Sequence, residues 1–403
     1  MSGRPLAGAD FWGRAGLAEL LALLNRDGEE ARVVGGAVRN TLLGLPVTDV
    51  DVATTALPEV VTARARAAGL KAVPTGIAHG TVTVVVGHHD FEVTTLREDT
   101  ETDGRRAVVR FGRSWAHDAA RRDFTINALY ATPAGEVVDL VGGLADLARR
   151  QVRFIGDAQA RIREDYLRIL RLFRFHAFYG EGPLDAAALG AVIRLRAGLL
   201  GLSRERVRAE LLKLLVAPRA GPTLATMSDA GLLQPLLAGI ADPALFARLA
   251  AAEARHGVAP DAVRRLAALA LRVPDDAERL REKLRLSNAE ARRLADLAVP
   301  VCDGADEAAA RRLVYAAGAE AAVDRALLAE ARGRADASVV LATARAWTAP
   351  KLPVGAAELM ARGLKPGPAL GAALARVEAA WVAADFPLEP RALDAVMTRA
   401  LGG

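Results

Sequence analysis

At 403 residues the chain is too long for one ordinary core and suits two to four domains. A composition of 52% hydrophobic and 25% charged residues excludes a disordered chain, and no apolar run reaches the roughly 18 residues of a membrane span. The formal charge of +5, carried almost wholly by arginine, permits a phosphate-bearing or RNA partner without requiring one. The single cysteine, Cys302, excludes a disulfide framework and a thiolate metal cluster. The segment MSGRPLAGADFWGR (1–14) lacks the apolar stretch of a secretory leader, so a reducing cytoplasm is the expected compartment.

Along the first third, β-rich runs alternate with turns. ARVVGG (31–36), TDVDVA (48–53), TVTVVV (81–86), FEVTTL (91–96) and FTINALYA (124–131) read as strands, with helical patterns near 16–26 and 58–68. His88-His89 reads as a turn, since adjacent strand residues would point to opposite faces. The polar stretch 97–117 has no sustained period and reads as a mobile loop. From about residue 157 the chain becomes Leu/Ala/Arg-rich and helical, punctuated by Gly and Pro. The expected class is α+β: a head with a small mixed sheet (1–150), a helical segment (151–240) and a helical remainder (241–403).

The densest chemistry lies in GGAVRNTLLGLPVTDVDVAT, residues 35–54. Asp49 and Asp51 are two apart in an expected strand, which sends both carboxylates to one face. Such a pair repels itself unless a cation neutralises it, and hard oxygen ligands suit Mg²⁺ shared with substrate phosphates. Gly35-Gly36 closes a strand and opens a helix, where backbone N–H groups are free for phosphate, with Arg39 one step inside. Neither a P-loop nor a dinucleotide-binding turn is present. Glu92 alternates outward between Phe91 and Val93 and supplies a third acid.

A second set of residues lies in REDYLRILR (163–171). On a continuous helix Glu164, Arg168 and Arg171 share a face, and Asp165 stands one i→i+3 step from Arg168. An Asp–Arg pair sets an acceptor beside a donor, which matches the pairing edges of cytosine and adenine and opposes those of guanine and uracil. Arg174 rotates away from Asp165. The amphipathic segment LSRERVRAELLKLL (202–215) carries Arg204, Arg206, Arg208 and Lys213, suited to a solvated face or to an RNA backbone.

Five segments in order carry a family resemblance: VVGGAVRNTLLG with DVDVAT, GIAHGTVTVVV, FEVTTLRED, RRDFTINALYA with DLVGGLADL, and FIGDAQARIREDYLRILRLFRF. Over roughly residues 30–215 the chain resembles the bacterial tRNA nucleotidyltransferases and their poly(A) polymerase relatives. The resemblance implies a catalytic head followed by helical neck, body and tail, with CTP and ATP as substrates and the tRNA 3′ end and acceptor region as partner. It implies metal at Asp49 and Asp51, with Glu92 beside them. Nucleotide contacts would come from Gly35, Gly36, Arg39, Arg122, Asp123, Asp165, Arg168, Arg171 and Arg174, and RNA contacts from Arg204, Arg208 and Lys213. A loop at 97–117 would govern A addition. Asn40 departs from the acid usual after G-G-x-V-R. Two alternatives stay open: a poly(A) polymerase or partial C- or A-adding enzyme, and a non-catalytic RNA-binding protein of the same fold.

Overall fold

The computed structural model describes residues 6–76, 80–99, 109–298 and 306–402. His79, Cys302 and the centre of the expected loop, 100–108, lie outside them. The chain forms two compact units, 1–223 and 224–403.

In the first unit, helix α1 (Leu17–Leu24) precedes strand β1 (Ala31–Val34), helix α2 (Gly36–Leu42), strand β2 (Asp51–Thr54) and helix α3 (Pro58–Ala67). Strands β3 (Lys71–Gly76), β4 (Thr81–Val86) and β5 (His89–Thr95) follow, then a two-stranded ribbon of β6 (Arg97–Asp99) and β7 (Val109–Phe111). Helix α4 (Trp115–Ala120), strands β8 (Leu129–Ala131) and β9 (Val137–Asp139), and helix α5 (Gly143–Ala148) complete the head. The main sheet has the order β3-β4-β5-β2-β1-β8-β9, and only the β2–β5 pairing is parallel. Alternation in TVTVVV buries Val82, Val84 and Val86, while Phe91 and Val93 do the same from β5. Tyr130, Val34, Ala53 and Leu96 pack together behind the central strands.

Four expectations need correction. Strand β2 starts at Asp51, so Asp49 precedes the strand instead of sharing its pleat. FTINALYA opens with a 3-10 turn, Thr125–Asn127, before β8. There the Thr125 hydroxyl donates to Asp146 at 2.6 Å and the Asn127 amide to Asp123 at 3.0 Å, bonds that replace a ladder. The described flanks of the expected loop, 97–99 and 109–117, are not irregular but supply β6, β7 and the start of α4, because Arg97–Asp99 pairs with Val109–Phe111 and the Ser114 hydroxyl caps α4. Finally, the helix expected through REDYLRILR is two helices, α6 (Ala158–Glu164) and α7 (Leu167–Tyr179), broken by an extended Asp165 (φ −155°, ψ 106°). The Asp165 Oδ1 accepts the Leu167 amide at 3.0 Å and so opens the second helix.

Beyond α7 the first unit continues with α8 (Ala186–Leu195) and α9 (Arg204–Leu215). Helix α7 joins the head through an aromatic line: Phe124 lies 5.0 Å from Phe154 and 5.3 Å from Phe175 between ring centroids. From α10 (Ala220–Asp229), which runs across the boundary between the units, to α21 (Pro390–Leu401), the described residues form helices and the connections between them, with no strand. The interior of the second unit holds Trp381 against Tyr315 and Phe386, and a closed ionic knot in which Arg264 reaches Glu253 and Asp324, each at 2.8 Å. No described helix is long and apolar enough to cross a membrane.

Gly143 begins α5 against the 3-10 turn that carries Thr125. A Cβ there would overlap the Thr125 carbonyl, a backbone group that no side-chain rotation can move aside. Gly143→Ala is therefore expected to cost about 2 kcal/mol, as overpacking does. Urea unfolding of the purified variant checks this; an unchanged midpoint would contradict the packing described.

Candidate active site

The parallel register Val52↔Val93 sets Asp51 and Glu92 side by side on adjacent strands. Val52 and Val93 are buried beneath, so the two acids face outward together. Asp49 stands two residues upstream, exposed, its Oδ2 accepting the Thr48 hydroxyl at 3.0 Å. Although Asp51 opens to solvent at the residue level, protein atoms crowd its carboxylate. Burial first, then Glu92 and Asp49, push Asp51 up to about 6, against the opposing pull of Arg122. Among the described residues no three acid, histidine or cysteine side chains converge closely enough to cage an ion by themselves.

Gly35 ends β1 with φ 68° and ψ −113°, a backbone that only glycine adopts readily. Gly36 is different. A Cβ there would meet nothing nearer than Arg39 Nη2 at 3.9 Å, so no protein contact demands glycine, and the open space faces the cleft. Arg39 is 6% exposed and is held by neutral groups: Asn127, the Tyr179 hydroxyl at 2.8 Å and Asn40 Oδ1 at 2.9 Å. Its guanidinium also lies 4.0 Å over the Tyr179 ring. Burial pulls Arg39 below its ordinary range, although an arginine keeps its proton regardless. Asn40, in place of an acid, thus satisfies Arg39 geometrically without cancelling its charge.

Asp118, which sequence reasoning missed, is the anchor of the next segment. It is 1% exposed and accepts from Arg121 Nε at 2.9 Å, Arg122 Nη2 at 2.9 Å and the Tyr130 hydroxyl at 2.8 Å. Burial would raise it, but the two guanidinium groups hold it below the usual carboxylate range; against the opposing effect of its own burial, Arg122 is in turn raised by Asp118 and the Tyr130 hydroxyl. An acid three and four positions before two arginines is a helix-spaced signal that was readable. Asp123 is gripped from the other side: its Oδ2 takes Arg171 Nε at 2.8 Å and Nη2 at 2.6 Å, and its Oδ1 takes Asn127 and the Phe124 amide.

At the α6–α7 break, Asp165 and Arg168 do not pair with each other. Asp165 Oδ2 accepts from Arg206 of α9 at 2.7 Å, while Arg168 bonds Glu164 and donates to the Arg161 carbonyl at 2.9 Å. Arg174 turns away to Glu210 at 2.6 Å, as its rotation suggested. One cleft of about 520 Å³ gathers Gly35, Gly36, Arg39, Asp51, Arg122, Asp123, Asp165, Arg168 and Arg171. Arg121, Asn127, Phe175 and Arg206 also line it and were not foreseen. Asp49, Glu92, Arg174, Arg204, Arg208 and Lys213 are not among its lining residues, although Asp49 and Glu92 act on Asp51 electrostatically. On α9, Arg204 and Lys213 are exposed and Arg208 is half-buried.

Residues 31–153 match the family described as "Poly A polymerase head domain", and residues 184–243 match "Probable RNA and SrmB- binding site of polymerase A". The chain is 32% identical over 386 residues to CCA tRNA nucleotidyltransferase 1, mitochondrial, of Homo sapiens, covering 93% of this chain and 88% of that one. The chain belongs to the CCA tRNA nucleotidyltransferase family. To the Danio rerio protein of the same name it is 40% identical over 279 residues, 68% of this chain but only 64% of that protein's length. The crystal structure of the Bacillus stearothermophilus CCA-adding enzyme in complex with CTP superposes with a TM-score of 0.75 at 29% identity, over 95% of this chain and 96% of that one. Nucleotidyltransferases of this family generally use a divalent metal ion.

The raised Asp51 has a signed consequence for stability. A carboxylate whose folded pKa exceeds its unfolded value favours folding when protonated, so the metal-free fold loses stability as pH rises through about 6. In chelator, Asp51→Asn should therefore melt higher than wild type at pH 8, and the gain should vanish toward pH 4. An equal gain at both pH values would mean that the carboxylate is not electrostatically strained.

Proposed function

We propose that this protein adds C, C and A in turn to the 3′ end of tRNA, taking CTP and ATP and releasing pyrophosphate. The observation that carries this reading is the single cleft that joins Asp51 and the Gly35-Gly36 turn to the start of α7. The similarity to the Bacillus stearothermophilus enzyme, described with CTP, supports the nucleotide class. We read residues 1–150 as the catalytic head, 151–240 as a neck and 241–403 as the body and tail that grip RNA.

Asp49 and Asp51, with Glu92 adjacent, fit a Mg²⁺ ion. Their donors are hard oxygens, and the mutual repulsion at Asp51 is what a divalent cation would relieve. Such an ion, when bound, lowers the cost of forming the attacking alkoxide and of neutralising the leaving pyrophosphate. The incoming triphosphate would lie along the Gly35-Gly36 turn, where Gly36 leaves room and Arg39 and Arg122 add positive charge. The tRNA 3′-oxygen then displaces pyrophosphate at the α-phosphorus as its proton departs.

Base choice falls to the α6–α7 break. Asp165 offers an acceptor and Arg168 a donor, which complement the amino group and ring nitrogen of cytosine and adenine. Both line the cleft, each bonded to other residues and not to its neighbour, which supports their reading a base there. Arg171 and Asp123 frame the sugar side, while Arg174 supports Glu210 from behind. Arg204, Arg208 and Lys213 would follow the acceptor-stem backbone along α9. The composition, with one cysteine, makes no demand for an oxidising compartment, and we assign the protein to the cytoplasm. The human and zebrafish relatives are named as mitochondrial.

The test is tRNA lacking its 3′ end, offered each labelled nucleotide in turn with Mg²⁺ and with chelator, and the product sequenced. Two C residues and one A are expected. A-only tailing would favour a poly(A) polymerase, and no incorporation a non-catalytic RNA-binding protein. Asp49→Ala and Asp51→Ala should each lower transfer by about 10³-fold or more while tRNA gel shifts stay near wild type. Asp165→Ala should raise UTP and GTP use relative to CTP and ATP by roughly tenfold. Slow but equally selective transfer by that variant would rule out base reading at Asp165.

A further inference from the structure

Asp49 lies outside strand β2, in the connection that leads to it from α2. That connection has little packing of its own: residues 44–46, 48 and 49 are exposed, and the first fully buried side chain is Val50. Polar bonds hold it instead. The Leu45 amide donates to the Asn40 carbonyl at 2.8 Å, Asn40 Nδ2 to the Pro46 carbonyl at 2.9 Å, and Arg14 Nη2 to the Val47 carbonyl at 2.9 Å.

Asn40 uses both ends of its side-chain amide. Its Oδ1 accepts from Arg39 Nε at 3.1 Å and Nη2 at 2.9 Å, while its Nδ2 faces the Pro46 carbonyl. A flipped amide would set donors against a guanidinium and an acceptor against a carbonyl, so the partners fix its orientation. An aspartate in this position would serve Arg39 equally well but has no proton to give Pro46. It would set oxygen against oxygen on the connection that carries Asp49.

We propose that Asn40 is a positioning residue for the metal site. Through Nδ2 it anchors Pro46, three residues before Asp49, and so holds that carboxylate where it can share a cation with Asp51. One amide thereby ties Arg39 to the connection that carries half of the acidic pair. The inference rests on the metal-binding role proposed above for Asp49 and Asp51, and adds the residue that keeps the first of them in place.

Asn40→Asp gives a test whose sign separates geometry from charge. An added carboxylate near the acidic pair would, by Coulomb attraction alone, tighten a divalent cation. Loss of the Pro46 tether must loosen it. Full-length proteins are titrated with Mn²⁺ alone, without nucleotide, and free Mn²⁺ is read by electron paramagnetic resonance, with Mg²⁺ as competitor. N40D should bind Mn²⁺ roughly tenfold more weakly than wild type, as loss of an outer support for a metal ligand commonly does. In a D49N background N40D should cause no further loss, because its effect passes through Asp49. The melting temperature in chelator records folding separately. Equal or tighter binding by N40D overturns the proposal. So does an equal loss in the D49N background, which would make Asn40 a general support of the fold. Should N40D fail to fold, N40A removes the same donor without adding charge, and wild-type affinity there overturns the proposal too. A wild type that binds no Mn²⁺ defeats the metal-site reading itself, whereas a binding wild type with an equally tight N40D defeats only this inference.

Discussion

The bond between Asp123 and Arg171 joins the two halves of the cleft. Asp123 follows α4 in the head, and Arg171 sits one turn into α7; two bonds at 2.8 and 2.6 Å close the gap between them. Asp123 is nearly enclosed, and desolvation opposes its charge, yet Arg171, Asn127 and the Phe124 amide together hold it below the ordinary carboxylate range. Breaking such a pair from one side typically costs about 3–5 kcal/mol, because the abandoned charge stays buried. The aromatic line from Phe154 through Phe124 to Phe175 adds contact area but little directional restraint. It is the ion pair that fixes where the start of α7 lies relative to Asp51 and the glycine turn.

Around that bond the arginines divide into two kinds. Arg121 and Arg122 share the one carboxylate of Asp118, which stiffens their positions and offsets one of their two charges. Arg39 is surrounded by an amide, a phenol and a second amide, which orient it without neutralising it. Its positive field therefore remains beside Gly36, where the backbone leaves room for an anion. The acids show the complementary pattern, with Asp51 strained by Glu92 and Asp49. A triphosphate and a divalent cation would answer both excesses at once.

Much of this was legible in the sequence. The alternation of TVTVVV and FEVTTL gave β4 and β5 with inward and outward faces correctly assigned, and so gave Glu92 its direction. Edge strand β3 was missed because KAVPTG exposes most of its residues and shows no apolar alternation. The α6–α7 break escaped notice because Ile162, Ile169 and Phe173 are buried at near-helical spacing across it. Only the tertiary fold shows that Asp165 caps α7 from outside. The pairing of Arg206 with Asp165 was unreadable for a similar reason: within LSRERVRAELLKLL it reads as a solvated charge or an RNA-backbone contact, and its partner lies 41 residues away. Asp118 is the opposite case, because its spacing to Arg121 and Arg122 was plain.

If the Asp123–Arg171 bond assembles the cleft, the two residues must act as a unit and not as independent nucleotide contacts. The direct test is a double-mutant cycle with Asp123→Asn, Arg171→Gln and the pair, read as kcat/KM for CTP incorporation on tRNA lacking its 3′ end. The double variant should then be no worse than the worse single, a coupling of about 2 kcal/mol or more. Losses that multiply, with coupling near zero, would show that each residue works alone and that something else holds α7 to the head.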